Sequence, residues 1–246
     1  MRAADPAIVR LQATPSTMDA VHALAQGGAP AGTAVVAEEQ TAGRGSRGRQ
    51  WASPRGGLWL SLLARPATTG LELLSLRAGL AVAELLDRLG AGNRLRIKWP
   101  NDLMLDERKT GGILCEARWQ GPALAWVVIG LGLNVANAPP RELEATSTHL
   151  ATVLPGLAPG DLVEAMVETL RAVDAGAGPL TDAEQARFAA RDWLRSRALQ
   201  EPERGTAAGL APDGALLVRR PNGTLAPVRA GTVVVAGSPP TSSPCS

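Results

Sequence analysis

Apolar residues at 73, 76, 80, 83 and 86 recur at helical spacing and predict a helix over Glu72–Leu89. A shorter helix should open at Ser16-Thr17-Met18-Asp19, where a hydroxyl stands at the cap and an acid follows three residues on. It should run to about Gln26, where Gly27-Gly28 stops it. Two later helices are expected over Gly160–Asp174 and Thr181–Ser196. Elsewhere the pattern shortens to runs rich in small, β-branched and leucine side chains. Ile8–Leu11, Thr33–Glu38, Leu58–Leu63, Arg94–Trp99 and Leu103–Leu105 read as strands. Gly112–Trp119 and Ala125–Val135 read as a strand pair joined through Gln120-Gly121-Pro122. Pro100 cannot donate to a ladder and ends the strand before it.

From about Gly205 the runs become shorter and are separated by Pro212-Asp213-Gly214 and Pro221-Asn222-Gly223. Both are turn signals, because Asn and Gly accept positive φ. The expected organisation is a main domain over residues 1–198, a small all-β domain over 199–236, and a Pro/Ser-rich, disordered tail over 237–246. No internal repeat is present.

Composition narrows the class. With 45% apolar residues the 246-residue chain can fill a large core, but six Trp, one Phe and no Tyr leave that core to Leu, Val, Ala and Ile. Trp119, Trp126 and Trp193 are expected in the core or an interface. A net charge of +2 argues against nucleic acid or an anionic membrane as main partner. Cys115 and Cys245 form neither a disulfide framework nor a metal spacing, and Cys115 reads as a small buried hydrophobe. His22 and His149 have no metal-spaced partner and read as solvated. The N-terminus lacks a signal-peptide core and no run is long enough to span a bilayer, so a cytoplasmic protein is expected.

The candidate chemistry lies in three stretches. Only two lysines occur, Lys98 and Lys109, against twenty-three arginines; they flank Asn101-Asp102, and the Gly111-Gly112 pair follows just after Lys109. In so Arg-rich a chain, a retained Lys suggests a need for a compact ammonium, and the pair suggests an anion site. Asp102, at the carboxyl end of a strand, has the chemistry to hold Mg²⁺ through one carboxylate. Asp106, Glu107 and Arg108 read as a salt-bridged turn. The second stretch, Thr41–Trp51, interleaves Gly43, Gly45 and Gly48 with Arg44, Arg47 and Arg49. It is either a clamp for an anionic ligand or a flexible solvated loop, and Trp51 adds a stacking face. The third, Gly130-Leu131-Gly132-Leu133-Asn134, ends an apolar strand on an amide that needs partners, either an adenine edge or protein backbone.

In order and spacing across roughly residues 7–136, these stretches resemble the bacterial biotin protein ligase family. The resemblance is carried by Ser16-Thr17, Glu39–Gly45, Arg47–Trp51, Lys98–Leu103, Lys109–Glu116 and Ile129–Val135. It implies an α+β fold: a mixed, mostly antiparallel sheet backed by helices, as in class II synthetase-like catalytic domains, then a small SH3-like β-barrel appendage. The implied activity is ATP-dependent. Biotin and Mg-ATP give biotinyl-5′-AMP, and a Lys of a carboxylase's biotin carboxyl carrier domain then takes the biotin. The implied biotin contacts are Ser16, Thr17, Gln40, Gly43, Arg44, Gly45, Ser46, Lys109 and Gly112. Arg47, Arg49, Trp51, Asn101 and Asn134 would meet ATP. Lys109, Arg44, Lys98 and Asp102 would carry the chemistry, with Asp102 also the metal ligand.

Departures from the family pattern set further expectations. Ser46 stands where the family loop has a second Arg, so weaker biotin binding or readier loss of biotinyl-AMP is expected, with Arg47 the neighbour that could take its place. Met18 stands where Asn is common. Residues 196–209 look short for the first hairpin of the family's small barrel. The chain opens at the catalytic region, leaving no room for the DNA-binding domain of some relatives, so no DNA partner is expected; a homodimer remains open. The alternatives are a lipoate ligase of the same superfamily, a non-catalytic biotin binder, and a nucleic-acid module using Arg44, Arg47, Arg49 and Trp51.

Overall fold

The computed structural model describes residues 5–65, 71–173 and 178–237; the expected tail, beyond 237, lies outside them. β1 (Ile8–Thr14), α1 (Thr17–Gln26) and β2 (Ala34–Gln40) form a parallel crossover unit. β3 (Gly57–Ala64) returns antiparallel to β2, and α2 (Leu74–Leu86) follows. β4 (Leu95–Lys98), β5 (Asp102–Leu105), β6 (Arg108–Gln120) and β7 (Ala123–Asn134) complete a seven-stranded sheet of order β1-β2-β3-β7-β6-β5-β4. Only β1 and β2 pair in parallel, so the sheet is mixed and mostly antiparallel, as expected.

The sheet buries both faces. Leu58, Leu60, Leu62, Ile113, Ile129 and Leu131 meet α2 and α3 (Pro159–Arg171) in the main core. On the other face Val35, Leu63, Trp126 and Val128 meet Met18, Val21 and Ala25 of α1. This alternation follows from the period-2 geometry of a strand, and each fully buried leucine contributes about 1.5–3 kcal/mol. Cys115 packs against the main core, and burial pushes its thiol up to about 12, as a structural cysteine should be.

Several element ends differ from the sequence expectation, each for a local reason. α2 stops at Leu86, because residues 87–91 pass into a wider turn with Gly90 at φ 107, and Leu89 is left exposed. α4 (Asp182–Arg191) stops five residues early because Asp192 adopts ψ 109 and turns the chain. Its start carries a capping box between Thr181 and Glu184. At α1, by contrast, the Ser16 side chain makes no capping bond. Trp119 lies at the end of the β6–β7 hairpin and is 54% exposed, so the core expectation holds for Trp126 and Trp193 alone. Asp106 and Glu107 do not pair with Arg108; they bind Arg94 and Arg197 across the fold.

β8 (Ala198–Glu201), β9 (Gly205–Leu210), β10 (Leu216–Arg219), β11 (Leu225–Val228) and β12 (Val234–Val235) form a second, antiparallel sheet of order β11-β10-β9-β8-β12. Gly214 and Gly223 take φ 80 and φ 85 in the two expected turns. β8 pairs antiparallel with β9 at Ala198–Thr206 and Leu199–Gly205, so a short first hairpin is present. This sheet is joined to the main domain by a continuous core, and Trp99 Nε1 donates to Gly214 O at 2.9 Å.

Candidate active site

On the α1 side of the sheet, β6 and β7 present Gly112, Gly130 and Gly132, with Gly112 paired to Gly132. A Cβ at Gly130 would lie 2.8 Å from Met18 Sδ, and one at Gly132 would lie 2.8 Å from Trp51 Nε1. The glycines therefore lower the floor of a strip of the sheet, a trough that the Met18 and Trp51 side chains cover in this structure. This is why Gly-x-Gly occurs in an otherwise apolar strand: the need is for close approach rather than for positive φ.

One end of the trough is uncharged and polar. Gln40 Oε1 accepts from Thr17 N at 2.8 Å and Thr17 Oγ1 at 3.1 Å, and Gln40 Nε2 donates to Ser53 Oγ at 2.8 Å. Thr17 Oγ1 also lies 2.8 Å from Ser61 Oγ, and Ser16 is buried beside it at the start of α1. Ser61 pairs with Gly130 across β3 and β7. Gly43 passes so close that its Cβ would lie 2.5 Å from Ser53 Oγ. Ser53 and Ser61 were not singled out from sequence. For Ser61 the signal was available, since it is the lone polar residue of Leu58–Leu63.

The other end is cationic. Lys109 Nζ lies 2.5 Å from Asp102 Oδ1 and 4.9 Å from the centroid of the Trp51 ring. Lys98 Nζ lies 5.4 Å over the Trp193 ring, on which Arg197 also stacks at 3.9 Å. Burial pulls the Lys98 ammonium below the usual lysine range; Asp102 opposes this, while Lys109, Arg49 and Arg197 add to it. The cluster thus has more positive than negative groups, the condition for holding a polyanion. Trp51 Nε1 is buried with no acceptor among the described residues. Asp102 is engaged by Lys109, and no group of three metal-binding side chains occurs among the described residues.

Two expected ligands have structural partners. Asn101 Nδ2 donates to Ile113 O at 2.7 Å, pinning the β5 entry against β6. Asn134 is buried; its Nδ2 donates to Thr148 O at 3.1 Å and its Oδ1 accepts from Asn137 Nδ2 at 3.0 Å. Both ends of the Asn134 amide thus have protein partners, a backbone carbonyl and the Asn137 side chain. It fastens the segment after β7, which also bonds Lys109 through Lys109 N–Thr146 O and Thr148 N–Lys109 O, both 2.8 Å.

The Gly/Arg stretch is an ordered flap rather than an open loop. Gly45 N donates to Arg49 O at 2.7 Å and Trp51 N to Gly43 O at 2.8 Å. Arg47 sits at φ 61, costly for a non-glycine residue, and donates to Thr232 of the small domain. Arg49 Nη2 donates to Ser46 Oγ at 3.0 Å. Arg44 is not beside Lys109. Its fork donates to both Asp19 oxygens at 2.7 and 2.8 Å, and its Nε lies 3.3 Å from Glu116 Oε1. Glu116 is four positions beyond Gly112 on β6, so ~13 Å from the Lys109 end at ~3.3 Å per residue. Asp19, expected in a capping box, serves Arg44 instead, and that bond lowers its carboxyl below the usual range. His22, expected in solvent, is buried, with Nδ1 3.0 Å from Trp126 Nε1 and Nε2 3.0 Å from Glu116 Oε2.

Residues 10–134 match the model of the Biotin/lipoate A/B protein ligase family. The chain is 42% identical over 142 residues to the bifunctional ligase/repressor BirA of Bacillus subtilis, a match covering 55% of this chain and 43% of that protein. It is 44% identical over 108 residues to the biotin--[acetyl-CoA-carboxylase] ligase of Paracoccus denitrificans, covering 43% of this chain and 45% of that one. The match spans less than half the length of these curated relatives. The fold resembles the biotin protein ligase of Aquifex aeolicus solved with biotin and ATP, at TM-score 0.78 and 24% identity, over 93% of this chain and 99% of that one. It also resembles that of Leishmania major solved with biotinyl-5-AMP, at TM-score 0.65 and 28% identity, over 92% and 100%.

Proposed function

This chain belongs to the biotin/lipoate A/B protein ligase family, and from that premise we propose that it is a biotin protein ligase. It would convert biotin and Mg-ATP to biotinyl-5′-AMP and pyrophosphate, then pass biotin to a Lys of a carboxylase carrier domain in the cytoplasm. The observation that carries this reading is the two-ended trough. The uncharged end at Ser61 and Gly130 stands two strand positions, ~7 Å, from the Lys109 end at Gly132, the reach of a short acyl chain.

In this reading Ser16, Thr17, Gln40, Ser53 and Ser61 surround the ureido ring, whose N–H and C=O groups need both donors and acceptors. The acyl chain lies along the glycine trough, with its carboxylate at Lys109. Trp51 offers the nucleotide a flat face and an unpaired N–H. Lys98, Lys109 and Arg49 face the phosphates. The carboxylate oxygen attacks the α-phosphorus, and the bond to pyrophosphate breaks as the mixed anhydride forms. Two anions must meet, and ammonium groups held at that point offset their repulsion and the charge developing on the leaving pyrophosphate. The acceptor amine then attacks the acyl carbon, and AMP leaves. No protein nucleophile is required. The flap excludes water from the anhydride.

The test is isotope exchange between pyrophosphate and ATP on the purified chain. Exchange should require biotin. Exchange supported by lipoate instead would move the chain to the lipoate branch, and exchange with neither would defeat the reading.

A further inference from the structure

Arg44 is surrounded by groups outside the proposed substrate path. Its guanidinium bridges Asp19 of α1 and Glu116 of β6. Behind Glu116 the polarity of the chain of bonds is fixed. Trp126 Nε1 can only donate, so His22 Nδ1 must accept at 3.0 Å. The proton of the neutral ring is then on Nε2, which donates to Glu116 Oε2 at 3.0 Å. Burial alone would raise the Glu116 carboxyl; the bonds from Arg44 and His22 pull it below the usual range. Arg44 is also the first arginine of the flap, and its backbone pairs with Gln50 on the returning arm.

Resting on the proposed reading of the site, we infer that Arg44 is a positioning residue, a strut that fastens the flap to α1 and β6 through Asp19, Glu116 and His22, rather than a grip on substrate. A side chain whose fork is filled by one carboxylate and flanked by another gains little from a third anion. Its partner Glu116, ~13 Å along β6 from Gly112, draws the guanidinium away from the Lys109 end. The strut fixes where the flap leaves the sheet, and so where Trp51 and Arg49 stand over the trough.

Two measurements on the full chain test this. The flap carries Arg47 and Arg49, so trypsin reports its opening without any substrate. Glu116→Gln, Glu116→Ala and Arg44→Gln should each speed cleavage after Arg47 and Arg49 by about threefold to tenfold, through local opening. Arg44→Gln combined with Glu116→Ala should do no more than the worse single variant. In biotin-dependent exchange the same variants should raise the KM for biotin and ATP more than they lower kcat, again without addition in the double variant. Unchanged tryptic cleavage would overturn the strut. So would KM losses that multiply in the double variant, since those belong to an Arg44 that touches substrate directly. A wild-type chain with no biotin-dependent exchange would defeat the reading of the site, while the digestion still decides the strut.

Discussion

Asp192 should limit the stability of this fold above pH 6, and replacing it with Asn should raise that stability. The carboxyl is buried at the end of α4, where Oδ1 accepts from Leu194 N at 2.8 Å. Trp193 N bonds Ile97 O at 3.0 Å beside it, which sets the indole under Lys98. Burial pushes the Asp192 carboxyl up to about 6 from 3.8, against the pull of the Leu194 bond and of Arg195 and Arg197. The sign follows from proton binding: the folded chain holds this proton more tightly than the unfolded chain does. The contribution is fully present below pH 3.8, is lost as pH rises through about 6, and stays lost above it. A shift of roughly two units corresponds to roughly 3 kcal/mol at 1.36 kcal/mol per unit. Asn keeps the acceptor and removes the charge. Asp192→Asn should therefore match the wild type near pH 4 and exceed it by about 2–3 kcal/mol at pH 7.5, or roughly 4–12 °C in Tm. Urea and thermal unfolding at both pH values measure this. A difference that is flat with pH, or a variant less stable at pH 7.5, would refute the reasoning.

The site yields further expectations. Lys109→Ala should lower biotin-dependent exchange by about 10² or more, and Lys109→Arg should not restore it, because a delocalised planar fork drawn to Asp102 and the Trp51 ring does not replace the compact point charge of an ammonium. Gly132→Ala should raise the KM for ATP by about tenfold, since its Cβ meets the rigid indole, whereas Gly130→Ala meets the flexible end of Met18 and should cost less. Asn134→Ala should lower stability by about 1–3 kcal/mol in thermal unfolding, by orphaning Thr148 O and the Asn137 amide, with a smaller effect on ATP use. Ser46→Arg should slow escape of the acyl-adenylate, measured as label reaching bystander lysines; unchanged escape would count against a retaining role for that flap position.

Element order was legible because strands and helices impose their periods locally. The 73–86 stripe, the Leu58–Leu63 run and the two Pro-x-Gly turns each marked a real element. The two-lysine stretch and the Gly/Arg loop marked the candidate site by composition, since both are costly unless an anion or a close backbone approach calls for them. What failed depended on partners distant in sequence. Asp19 looked like a cap because Ser16 precedes it, yet Arg44, 25 positions on, claims its carboxylate. His22 looked solvated because no ligand was near in sequence, and only the packing of α1 on β6 and β7 gives it Glu116 and Trp126. Asn134 needed partners that its neighbours in sequence do not name, and the segment after β7 folds back to supply Thr148. Local sequence fixes backbone dihedrals and which side of an element is apolar. Which charge meets which carboxylate is decided only when separate strands and helices come together, because a hydrogen bond reaches about 3 Å and no residue can select a partner beyond that range before the chain has folded.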